Sequence, residues 1–139
     1  MKKRTLIISL TYILLIAGVA ALFVGGGRKL YGEKPFKDLD ASQIASATVR
    51  LTPPDKTIRI VETDQLAARL KNVVIYEKDN SYREYCGQGV IFSLTMSDGS
   101  YTEVMAYNPF LVINGVGYRT EYDPCESLSQ YANQLLNAE

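Results

Sequence analysis

Fifteen carboxylates, two thiols and ten phenols are the groups in this chain with chemistry to offer, and no imidazole accompanies them. Without histidine, neither a Ser-His-Asp nor a Cys-His relay can form, and no histidine-ligated zinc site is available. A Ser-x-x-Lys pair is missing, as is a glycine-rich phosphate loop of either common pattern. An acid and base of the glycosidase kind could be drawn from Glu77, Asp79, Glu84, Glu103, Glu121 and Asp123, but no spacing singles out a pair, and carboxylates flanking strands ordinarily serve solvation. Asp38-x-Asp40 lacks the further oxygen ligands of a calcium loop and reads as a cap plus a surface charge. No cofactor and no metal are implied, and the expectation is that the protein is not an enzyme.

Cys86 and Cys125 permit one pairing. A bridge between them would close a loop of about 40 residues and contribute roughly 3 to 4 kcal/mol through the unfolded chain. The alternative is two buried, small apolar side chains left unpaired. Cys125 lies near a helix start, where a free and exposed thiol would have a lowered pKa. Nine of the ten tyrosines follow residue 24. Tyr82 and Tyr85 flank a polar loop, and Tyr122 follows the last hairpin, so these three are the candidate binding residues. The competing reading seats their rings in the core with wet hydroxyls.

The compartment these groups face follows from Thr5 to Val24, an apolar run behind Lys2, Lys3 and Arg4. Twenty residues at about 1.5 Å each make a helix of roughly 30 Å, the thickness of a bilayer core. Residues 1–24 are therefore read as a signal anchor, a single-pass transmembrane helix through residues 5–24. The basic flank puts the N-terminus in the cytoplasm and the remainder outside. Val19-Ala20-Ala21 would serve as a cleavage site, in which case the domain is secreted. No cysteine near the end of the run offers a lipid attachment point. Gly25-Gly26-Gly27, Gly32 and Pro35 give residues 25–37 the composition of a tether.

Residues 38–139 suffice for one small domain and not for two. After Val24 there are 12 basic and 15 acidic residues, a mild balance of about −3, interleaved rather than striped, which excludes a nucleic-acid face. Asp40 caps a short turn before a strand at 47–51. Pro53-Pro54-Asp55-Lys56 turns into a strand at 57–61. Thr63 or Asp64 caps a helix ending near Asn72, with Leu66, Ala67, Leu70 and Val73 at helical spacing, and 73–76 is a further strand. Residues 89–97 and 100–107 form a hairpin with a three-residue loop. That register sets Phe92 against Val104 and Val90 against Ala106, and leaves Ser93 with Glu103 on the other face. Asn108-Pro109 interrupts the chain; 110–113 and 116–120 pair across Asn114-Gly115. Asp123-Pro124-Cys125-Glu126 starts a helix whose apolar stripe is Leu128, Tyr131, Ala132, Leu135 and Leu136. The fold class is α+β: a mostly antiparallel sheet of about six or seven strands packed on one face by two helices.

Thr52-Pro53-Pro54-Asp55-Lys56, Val74-Ile75-Tyr76, Met105 through Phe110 and Ile113 through Tyr118 lie in a stretch, Phe36 to Leu136, that resembles a group of uncharacterised domains. These occur in small exported or membrane-anchored proteins of Gram-positive, clostridia-like bacteria. A similar segment is appended outside the membrane in some antirepressor metallopeptidases that sense β-lactams. No His-Glu-x-x-His is present, so peptidase activity does not carry over. The resemblance implies an outward-facing accessory or sensory module with a membrane-protein or cell-envelope partner. The expected function is a non-catalytic binding module. The alternatives are a cell-envelope enzyme using carboxylates or Cys125, and a structural spacer of a membrane assembly.

Overall fold

A computed structural model describes residues 31–139; the anchor read at 1–24 and the first part of the tether lie outside them. Among the described residues no helix is long and apolar enough to cross a membrane. Seven strands form one sheet: β1 (Ile44–Thr52), β2 (Lys56–Ile60), β3 (Ile75–Lys78), β4 (Gly89–Met96), β5 (Tyr101–Tyr107), β6 (Phe110–Ile113) and β7 (Val116–Thr120). Their order is β2-β1-β4-β5-β6-β7-β3, and every neighbouring pair is antiparallel. Two α-helices complete the domain, α1 (Thr63–Leu70) and α2 (Tyr122–Asn137). The architecture is α+β, as the strand and helix patterns require.

Alternation decides which face closes. Val49, Phe92 and Val104 lie side by side across three strands and are all fully buried. Leu66 and Leu70 of α1 and Leu128, Tyr131 and Ala132 of α2 close over that face. The Tyr131 ring lies 6.4 Å from Phe92, nearly parallel to it, with the Arg69 guanidinium 4.3 Å over its other side. Arg69 thus extends the core with its stem while its charge stays near water.

The turns follow from residues tolerant of left-handed backbone. Gly99 at φ +86 sets the β4–β5 register that places Phe92 opposite Val104 and Ser93 opposite Glu103. Asn114 and Gly115, at φ 49 and 83, close β6–β7 in two residues. Asn108-Pro109 does more than interrupt the chain: Tyr107 pairs with Phe110, so the dipeptide is itself a tight hairpin turn. Asp40 caps the 3₁₀ turn Ala41–Gln43, accepting from the Ser42 N–H while the Gln43 side chain accepts from the Asp40 N–H.

Three expectations shift. The N-cap of α1 is Glu62, not Thr63 or Asp64, and that of α2 is Glu121, with Asp123 in the first turn; neither cap makes a side-chain hydrogen bond. The third strand runs later than 73–76, because Val73, three residues past α1, is buried in the turn that follows the helix, its N–H donating to the Leu70 carbonyl at 3.2 Å. The region read as a tether is in part held to the sheet. Glu33 and Ile75 exchange both backbone hydrogen bonds at 2.8 Å, and Phe36 packs on the core. A Cβ on Gly32 would lie 2.0 Å from the Val74 side chain, so that contact requires glycine.

Candidate functional site

The face opposite the helices receives its cover from one short segment. Phe110 and Val112 are buried there, outside the main core. The 3₁₀ turn Asn80–Glu84 is strapped across β7 to reach them. Asp79 N–H donates to the Gly117 carbonyl at 2.9 Å, and Gly117 N–H donates to Asn80 Oδ1 at 2.9 Å. The Asp79 carboxylate accepts from the Ser81 N–H at 3.0 Å and from Arg119 Nε at 2.7 Å. Those donors, Ser81 foremost, hold its pKa down at about 2. Gly117 is where the strap touches down: a Cβ there would lie 2.4 Å from the Asp79 carbonyl and 2.6 Å from the Tyr82 ring.

The strap brings two of the three candidate tyrosines together. The rings of Tyr82 and Tyr85 lie 6.4 and 5.5 Å from Phe110, and the Arg119 guanidinium lies 4.6 Å over the same ring. Tyr82 is half-buried and structural, whereas Tyr85 keeps 56% of its surface exposed. Tyr122, 59% exposed, opens α2, and its carbonyl accepts from Asn108 Nδ2 at 3.2 Å. No ring contact joins Tyr122 to the other two among the described residues.

Past Tyr85 the chain rounds the end of the sheet, and an open cleft of about 420 Å³ lies between residues 85–88, the end of β5 and one face of α2. Four side-chain amides line it: Gln88 from the loop, Asn108 from the β5–β6 turn, and Gln130 and Asn133 from α2. Gln88 and Asn133 form a reciprocal pair across it, at 3.2 and 3.4 Å. Gln88 also donates to the Pro53 carbonyl at 3.1 Å. Asn108 is oriented by two donations from Nδ2, to Tyr122 O and to Glu126 Oε2 at 3.3 Å. Its Oδ1 is buried with no hydrogen-bond partner among the described residues. Glu126 is the one carboxylate in the lining, and no basic side chain faces it.

Sequence reading missed this cleft, apart from Tyr85 and Cys86 at its edge. One signal was available: Glu126, Ser129, Gln130 and Asn133 recur at i, i+3, i+4 and i+7, a polar stripe beside the apolar one of α2. What faces that stripe depends on strand order.

The two cysteines are both free; Cys86 is exposed in the cleft wall and Cys125 is buried. The condition for a lowered Cys125 pKa, an exposed thiol, is not met. Its Sγ points inward, 3.5 Å from the Phe110 carbonyl, and burial pushes its pKa up to about 12. Among the described residues no group of three or more carboxylates and thiols could hold a metal ion. Comparison of the chain with protein-family models, curated proteins and solved structures gives no match.

Proposed function

We propose that this protein is a membrane-anchored binding module. Residues 5–24 hold it at the membrane, the α+β domain faces outward, and the cleft between residues 85–88 and α2 captures a ligand without converting it. The observation that carries the reading is the cleft lining: amides from three separate elements converge on one open concavity. A pocket of a few hundred Å³ has the size of a small-molecule site, and convergent polar groups are what fix a ligand's orientation in one. Binding is favoured over turnover because Glu126 has no second carboxylate beside it in the lining and Cys125 lies buried as a protonated thiol.

The test is nitrogen-15 NMR of the full chain in micelles of a detergent without a sugar headgroup, against a panel of oligosaccharides, short peptides, nucleosides and fatty acids. Displacement of the Gln88 and Asn133 side-chain amide signals by one class, with the ligand recovered unaltered, supports the reading. Unmoved signals across the panel, or recovery of a cleaved ligand, overturn it. Placement is tested by adding protease to right-side-out membrane vesicles. Digestion beyond residue 24 is expected, and full protection would reverse the orientation.

A further inference from the structure

We infer that the ligand of this cleft is a neutral oligosaccharide, an inference that rests on the binding reading above and narrows it to one chemical class. Charge removes the first set of competitors. A phosphate, a nucleotide or an anionic glycan needs a cation or a cluster of backbone N–H groups. The lining offers no basic side chain, and Glu126 would repel an anion. Over residues 31–139 there are 10 basic and 15 acidic side chains, a net −5, so the long-range field opposes anions as well.

Polarity removes the second set. Ala106 is the one aliphatic residue in the lining, too little to hold a lipid or other apolar ligand. A peptide captured as an added strand needs an unpaired sheet edge. The strands that end at the cleft have none to give, since β4 is paired with β1 and β5, and β5 with β4 and β6.

What remains is complementary to hydroxyl groups. An amide presents a donor and an acceptor side by side, and a sugar hydroxyl is itself both, so Gln88, Gln130 and Asn133 can each engage a diol edge. The Gln88–Asn133 pair, at 3.2 and 3.4 Å, is long for a hydrogen bond and solvent-facing, so exchanging it for ligand hydroxyls gives up little. At the rim, Tyr85 is backed by Phe110 and exposes more than half its surface, a fixed aromatic plate on which the C–H face of a sugar ring can lie. The cleft is open to solvent, so a chain longer than the seated unit can continue outward.

Isothermal titration of the full chain, in the same detergent, decides the matter. The probes are β-1,4-linked tetrasaccharides of glucose and of N-acetylglucosamine, a mannose tetrasaccharide, tetra-alanine and a sulfated heparin tetrasaccharide. At least one neutral saccharide should bind and displace the Gln88 and Asn133 side-chain signals. Gln88→Ala and Tyr85→Ala should each weaken it about 10-fold or more, and Tyr85→Phe should hold within about 3-fold, because the ring and not the hydroxyl makes the stack. Melting temperatures of the variants, measured alongside, separate lost contacts from lost folding. If tetra-alanine or the heparin fragment displaces those signals and no neutral saccharide does, the ligand class is wrong while the binding reading stands. If no probe of any class displaces them, both fall. Saccharide binding undiminished in both Gln88→Ala and Tyr85→Ala would overturn the site.

Discussion

The two faces of the sheet are closed by different means. On the helix side, alternating aliphatic side chains from β1, β2, β4 and β5 meet the apolar stripes of two helices, forming one continuous cluster. On the other side a single 3₁₀ turn covers β6 and β7 only, holding two tyrosines and an arginine over Phe110. The first cover needs many residues and little geometry. The second needs few residues and depends on a glycine, one ion pair and two tilted ring contacts on Phe110. The second also leads directly into the cleft through Tyr85, so the candidate site lies at the end of the sheet, where the lightly fastened cover meets α2.

Truncating one buried ring on each face tests that contrast most strongly. Phe92→Ala should destabilise by about 4 to 5 kcal/mol and Phe110→Ala by about 3, since the strap over Phe110 can settle into the space and the helix-packed core cannot. Urea unfolding monitored by circular dichroism would measure both, and equal costs would show that the two covers are equally rigid. Gly117→Ala should cost roughly 1 to 3 kcal/mol by pushing the strap off β7. Its more telling readout is faster tryptic cleavage after Arg83, with cleavage after Arg50 unchanged.

Acid should release the strap before the core. The Asp79 pKa is lowered in the folded state from 3.8 to about 2, so its contribution is complete above the unfolded value and disappears as pH falls through the folded one. Protection factors of the Ser81 and Gly117 amides, with the intrinsic exchange rate divided out, should therefore fall between about pH 4 and pH 2, and Asp79→Asn should flatten that dependence. Thiol reactivity offers the smallest perturbation. Iodoacetamide at pH 8 should label Cys86 and spare Cys125 until the protein is unfolded, as counted by intact mass. Two labels on the native protein would mean that the helix-side core opens readily.

How much of this was legible in the chain depended on the range of the interaction. The β4–β5 register could be chosen from sequence because Glu103 had to stay out of the core and Gly99 could close a three-residue loop. The Asn114-Gly115 turn was readable for the same local reason. The capping residues of both helices were off by one or two positions because several acidic and hydroxylic side chains compete at each start, and tertiary packing chose among them. The strap and the cleft were not readable. Tyr82 meets Gly117 across 35 positions, and Gln88 meets Asn133 across 45, contacts set by strand order, to which local patterning is blind. The choice between a bridged and a buried, unpaired Cys125 was open for a related reason: its place at the helix start was legible, but which side of that start faces β6 is not encoded nearby.

The pairing of Glu33 with Ile75 bears on how the domain would answer a mechanical load. A pull transmitted along the chain into Tyr31 arrives first at two backbone hydrogen bonds beside β3, the outermost strand. They are a separate fastening, in series with the seven-strand ladder and weaker than it. Tension would peel this pair open and lengthen the leader by a few residues while Phe92 and its neighbours stay packed. Under such a load the edge pairing would act as a fuse, yielding at low force so that the folded body need not.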